Sequence, residues 1–79
     1  LWDRLMENVG ETLKEHRVTR ELSQIQLAQA TGIKQQNISR WENNIHLPDI
    51  AECIILADFY DITLDELVGR DYGREKSSK

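Results

Sequence analysis

Apolar positions recur at helical spacing in five stretches, separated by capping and turn residues. Leu5, Val9 and Leu13, with Thr12 beside them, predict a first helix ending near Arg20. Its start is open: Asn8-Val9-Gly10-Glu11 resembles a cap, whereas Leu1, Trp2, Leu5 and Met6 share a helical side that extends backwards. Ser23 and Gln26 form a capping box that starts a helix at Gln24, and Thr31-Gly32 stops it. Another helix runs from about Gln35 through Glu42 to the turn-forming Asn43-Asn44. Leu27, Ile33, Ile38 and Trp41 mark the buried side of this pair, with Ala28 small where the second helix crosses. Pro48 suits a first helical position, and Ile50, Cys53, Ile54, Leu56 and Ala57 carry that helix to about Tyr60. Thr63 and Glu66 make another capping box, and Leu64, Leu67 and Val68 form a short last helix closed by Gly69. No strand signal competes, so the expected fold is a compact all-α domain of five short helices. Residues 1–8 read as a helical N-terminal extension, 9–69 as the domain, and 70–79 as a polar flexible tail.

The two helices flanking Gly32, over residues 24–43, have the spacing of a helix-turn-helix. On the second of them Gln35, Gln36, Ser39 and Arg40 fall on one face, opposite Ile38 and Trp41. That face has no carboxylate and is rich in long hydrogen-bonding side chains, which suits the major groove of double-stranded DNA. Gln36 and Arg40 lie four apart and point the same way. Gln can pair bidentately with adenine and Arg with guanine, each discriminating by about 1–3 kcal/mol. Lys34, Arg20, Asn37 and Asn43 are candidates for phosphate contact, and Gln24 sits at a helix N-terminus suited to an anion. Ser39 either touches DNA or is small enough to let the backbone approach. On an isolated helix all of these would be ordinary solvated residues. Trp41 shares the buried face with Ile38 and is expected to be core.

The charge total alone opposes this reading, since the 79-residue chain has a formal net charge of −4. Its distribution removes most of the objection. Arg17, Arg20, Lys34 and Arg40 lie between His16 and Trp41 with only one acid, Glu21. Between Ile45 and Glu66 there are six acids (Asp49, Glu52, Asp58, Asp61, Asp65, Glu66) and no Lys or Arg. One surface can therefore attract DNA while another repels it.

Size bounds the rest: a domain this small buries about 60% of its unfolded surface. There is no apolar run long enough for a membrane span and no signal-peptide layout, so no membrane role is expected. Cys53 alone excludes an internal disulfide, suits a cytoplasmic setting, and reads as a small hydrophobe. His16 and His46 with one Cys lack metal-ligand spacing, and there is no Gly-rich phosphate loop; no metal, no cofactor and no catalytic residue is expected. Ser23, His16 and Asp3 make no triad, because Ser23 is already a helix cap. Opening on Leu1 rather than Met, the chain reads as a portion of something longer.

The motifs L-S-Q-x-x-L-A (from Leu22), G-I (Gly32-Ile33) and I-S-R-W-E (from Ile38), with Pro48, Leu56-Ala57 and Leu64-Asp65-Glu66-Leu67, resemble the phage repressor-like helix-turn-helix family. This is the lambda repressor-like, Cro/CI or Xre-type group, and the resemblance covers roughly Val9 to Gly69. It implies a five-helix DNA-binding domain, a transcriptional regulator and most often a repressor, binding a palindromic operator as a homodimer. Gln24 matches a phosphate-contacting glutamine, and Gln35, Gln36 and Arg40 match base-reading positions of a recognition helix over 35–43. Arg17 and Glu42 match a partly buried ion pair, and Asn43 a backbone contact. Three positions depart from the pattern. Lys34 replaces a capping Ser or Thr, Asn44 replaces a glycine, and Glu21 puts an acid near the DNA-facing side. For a dimer contact the sequence offers Ile54, Ile55, Tyr60 and Ile62, expected to be partly exposed, or else the Leu1-Trp2-Met6 edge. The other functional class is a protein-interaction module on the same fold, such as an antitoxin or bridging coactivator. It would use the acidic half, a further protein partner or a C-terminal domain beyond this chain.

Overall fold

The computed structural model of the chain describes residues 2–69, with side chains from Val9 to Gly69. They form α1 (Trp2–Thr19), α2 (Gln24–Thr31), α3 (Gln35–Glu42), α4 (Ile50–Tyr60) and α5 (Leu64–Val68), with no strand among the described residues. The expected tail at 70–79 and the side chains of the Leu1-Trp2-Met6 edge lie outside the described residues. No described helix is long and apolar enough to cross a membrane.

Local signals account for most helix ends. Ser23 and Thr63 head reciprocal capping boxes with Gln26 and Glu66. Gly32, at φ 80°, closes α2 in the left-handed region, where its missing side chain removes the steric cost. Asn44 turns the chain after α3 at φ 63°, the conformation its amide side chain tolerates. The open start of α1 resolves to the longer reading: the helix passes unbroken through Asn8-Val9-Gly10-Glu11, which is therefore not a cap. Gly10 marks a crossing instead: a Cβ there would sit 2.6 Å from the Trp41 carbonyl oxygen and run into the Asn44 side-chain amide. Pro48 is not the first helical residue of α4 either. Asp49 caps that helix, accepting from the Glu52 N–H at 2.7 Å while the Glu52 carboxylate accepts from the Asp49 N–H at 2.9 Å. An aspartate satisfies orphan donors that proline cannot, so Pro48 lies outside the helix.

One core joins the helices: Val9 and Leu13 of α1, Leu27 of α2, Ile33, Ile38 and Trp41 around α3, Cys53, Leu56, Ala57 and Tyr60 of α4, and Leu67 of α5. α1 lies against α3 and α5, α2 packs on α3, and α4 contacts α5 and α2. Tyr60, expected at a partly exposed dimer contact, is core at 7% exposure. It continues the inward stripe of Cys53, Leu56 and Ala57 at helical spacing, so its ring turns inward. There it stacks on His16, with ring centroids 5.7 Å apart, and lies under the Arg20 guanidinium at 4.3 Å. Ile54 and Ile55 point the other way, at 46% and 40% exposure, and Ile62 is half-buried against the core.

Candidate nucleic-acid interface

α3 is placed by its own apolar face. Ile38 and Trp41 are buried in the core, which turns Gln35, Gln36 and Arg40 outward, all three exposed. Asn37 and Ser39 are half-buried at the edges of that face. Lys34 precedes the helix with extended backbone (φ −68°, ψ 137°) and supplies no side-chain cap, leaving its charge exposed at the helix start. Asn43 folds back on the last turn, its Nδ2 donating to the Ser39 carbonyl at 2.8 Å and to the Ser39 hydroxyl at 3.3 Å.

Behind this face lies a connected polar network. Arg17 donates from Nε to Glu42 Oε2 at 2.8 Å and from Nη2 to Glu42 Oε1 at 2.9 Å. Its Nη1 donates to the Leu22 carbonyl at 2.8 Å, so the guanidinium also holds the loop between α1 and α2. The pair is largely enclosed, with the Arg17 and Glu42 side chains 11% and 4% exposed. Hydrogen bonding to Glu42 raises the Arg17 pKa above its ordinary value despite the opposing effect of burial, so Arg17 stays cationic. Gln24 donates from Nε2 to Glu42 Oε1 at 2.9 Å, and Gln35 donates from Nε2 to Gln24 Oε1 at 2.9 Å.

The structure therefore brings Arg17, Gln24, Gln35 and Glu42 into one network spanning α1, α2 and α3. The last two links, Gln24 to Glu42 and Gln35 to Gln24, are not foreseen by spacing, because they join different helices. The only signal for them is the presence of two amides at helix starts beside a matched ion pair.

Arg20, grouped with the phosphate candidates by sequence, belongs to a different cluster. Its Nη1 donates to the His16 carbonyl at 2.9 Å and lies 3.3 Å from His16 Nδ1, while its plane covers Tyr60. His16 Nε2 donates to the Glu66 carbonyl at 2.8 Å, because a carbonyl only accepts, and that leaves Nδ1 as the acceptor facing Arg20. Arg20 is thus used to close the corner between α1, α4 and α5.

The model of the family described as helix-turn-helix matches residues 13–67. None of the curated proteins compared matches the chain. Among solved structures, the chain is similar to the solution structure of the SOS-response transcriptional repressor LexA from Eubacterium rectale. The two are 24% identical with a TM-score of 0.77, over 84% of this chain and 70% of that one, a likeness that carries the fold. With the match reaching from α1 through α5, and α2 and α3 forming the motif at its centre, the chain belongs to the lambda repressor-like (Xre-type) helix-turn-helix family of DNA-binding transcriptional regulators.

Proposed function

We propose that this domain is a sequence-specific repressor that binds a palindromic operator as a homodimer and acts in the cytoplasm. α3 enters the major groove, where Gln35, Gln36 and Arg40 read base edges. Gln24, Lys34, Asn37, Ser39 and Asn43 hold the register on the sugar-phosphate backbone. The observation that carries this reading is the outward face of α3: exposed amides and a guanidinium, no carboxylate, and a rigid apolar back formed by Ile38 and Trp41. Arg20 contributes positive potential from its corner rather than a direct place in the α3 group.

Dimerisation follows from economy of recognition, since one short helix reads few base pairs. Two-fold pairing sets two recognition helices about 34–36 Å apart in successive grooves. The α4 face carrying Ile54 and Ile55, with Ile50 and Phe59 beside them, supplies the apolar surface for that contact.

Selection from a randomised duplex pool at low and moderate salt tests the proposal. Enrichment of two half-sites about one helical turn apart is the expected result. A flat pool with binding lost at moderate salt overturns it and favours a protein-interaction module built on the acidic half.

A further inference from the structure

The chain that leaves α3 folds back on it. The Arg40 carbonyl accepts from the Ile45 N–H at 2.9 Å and from the His46 N–H at 3.4 Å, which brings the approach to α4 alongside the Arg40 turn. Between α3 and the start of α4 lies a cleft of about 190 Å³, lined by Asn37, Arg40, Trp41, His46, Leu47 and Glu52. That is more than ten times the roughly 10–15 Å³ that admits one water, so a long side chain at the rim can turn in without displacing packed atoms. Glu52 is half-buried and is the only carboxylate in that lining. Its Oε1 accepts from the Asp49 N–H at 2.9 Å as part of the α4 cap, which fixes the carboxylate in place. Oε2 has no hydrogen-bond or ion-pair partner among the described residues, and neither has the exposed Arg40 guanidinium.

We infer that Glu52 is an internal competitor for Arg40: in the free protein the guanidinium turns into the cleft and pairs with Oε2, and a guanine must draw it out. The inference rests on the reading of Arg40 as a base-reading residue. Opposite charges supply the attraction, the cap holds the acceptor still, and only Arg40 has to move. Competition of this kind has a definite effect on specificity. Where the base is guanine, O6 and N7 together displace Glu52, and the lost pair offsets part of the contact. Where the base is another, Arg40 keeps its pair and nothing is lost. The pair therefore lowers affinity for a guanine-bearing site and leaves other sites as they are, so Glu52 softens the guanine preference at one position. Glu52 acts as a positioning residue, changing how strongly a base is read without touching it.

The test compares the full chain with Glu52→Gln, Arg40→Ala and the double variant. A capping box takes Glu or Gln, so Glu52→Gln removes the charge and keeps the start of α4. Denaturant unfolding of the four proteins without DNA measures the pair itself. Exposed ion pairs change an equilibrium constant by about two- to five-fold, and non-additivity of that size between the two substitutions is expected. Selection from randomised duplexes at one salt concentration then gives the guanine enrichment at the position where Arg40→Ala abolishes it. Glu52→Gln is expected to raise that enrichment by the same factor of about two to five, with preferences at other positions unchanged. The gain from one less negative charge near the phosphates is common to all sequences and cancels in the ratio. Raising salt from about 0.05 M to about 0.5 M should shrink both factors together.

Additive unfolding effects, or a guanine enrichment that Glu52→Gln leaves unchanged or lowers, would overturn the competition while leaving base reading by α3 intact. A flat wild-type pool, or an Arg40→Ala variant that loses affinity equally for all sequences, would instead overturn base reading by Arg40 and the competition together.

Discussion

Gly10 shows how packing decides between two readings that the sequence leaves open. Beside Asn8 it resembles punctuation, yet its backbone is helical and its role is to let α1 touch the end of α3. Ordinarily a helix-interior Gly→Ala change stabilises by about 1 kcal/mol. Here the added methyl would lie 2.6 Å from the Trp41 carbonyl oxygen, which moves only with the α3 backbone. Overpacking of this kind costs about 1–3 kcal/mol, so Gly10→Ala is expected to lower the melting temperature. A rise on thermal denaturation would show that α1 can slide away freely. Tyr60 gives the opposite prediction. Its hydroxyl is buried with no hydrogen-bond partner among the described residues, and burial pushes the phenol above its ordinary 10.0. Removing an unsatisfied polar group recovers its desolvation cost, so Tyr60→Phe should stabilise by about 1 kcal/mol. The pH signature has a definite sign. A group held protonated more tightly in the folded state contributes fully below its unfolded pKa and loses that contribution as pH rises through the folded value. Burial, with Asp49 and Glu52 nearby, likewise pushes the Cys53 thiol above its ordinary 9.0. Stability should therefore decline above pH 9.0 through Cys53 and above pH 10.0 through Tyr60. Melting curves against pH should show Tyr60→Phe abolishing the later part of this decline and sparing the earlier part.

At the scale of elements, legibility follows where the determining contacts lie. α2 and α5 could be read almost to the residue because their caps are local: Ser23 with Gln26 and Thr63 with Glu66 satisfy each other within one turn. The inward stripe of α4 was legible only in part. Nine of its eleven residues are apolar, so the period could not say that Tyr60 faces the core while Ile54 and Ile55 face outward. Its true start lies beyond Pro48 because Asp49 and Glu52, besides carrying charge, form a capping pair. The outward face of α3 follows from Ile38 and Trp41, but the Gln35–Gln24–Glu42 path depends on how three helices are docked, which no local pattern encodes. α3 also carries a testable compromise. Lys34 has the backbone of a helix cap without a capping oxygen. A serine there would accept from a free N–H at the helix start and stabilise by roughly 1 kcal/mol. It would also remove an exposed cation from the start of the helix. Lys34→Ser is thus expected to raise the melting temperature while weakening DNA binding to all sequences and flattening its salt dependence. If stability and affinity rise together, Lys34 is merely an imperfect cap.

Across the whole molecule, the distribution of charge and apolar surface gives the two proposed association reactions, with DNA and with a second copy, opposite expected salt responses. Arg17, Arg20, Lys34 and Arg40 lie in the stretch that includes α2 and α3, while six acids and no basic residue lie between Ile45 and Glu66. The domain measures 42 × 27 × 22 Å, so two copies side by side can set equivalent helices at the separation of about 34–36 Å that successive major grooves require. Binding DNA releases counterions and weakens as salt rises. The proposed pairing through α4 would instead bury Ile54 and Ile55 while bringing acidic surfaces together, among them Asp58 on the same helix. Screening relieves that repulsion, and the Debye length is already about 10 Å at 0.1 M. Self-association should therefore strengthen between about 0.05 M and about 0.2 M salt, while affinity for an isolated half-site falls. Sedimentation and half-site titration at the two concentrations measure the two trends separately. Ile54→Asp then isolates the contact: at 46% exposure the residue can be changed with little effect on the melting temperature. The variant is expected to remain monomeric and to bind each half of a palindrome independently. A variant that still dimerises would move the interface off α4, and a dimer that weakens with salt would mean that ion pairs, rather than this apolar face, hold it together.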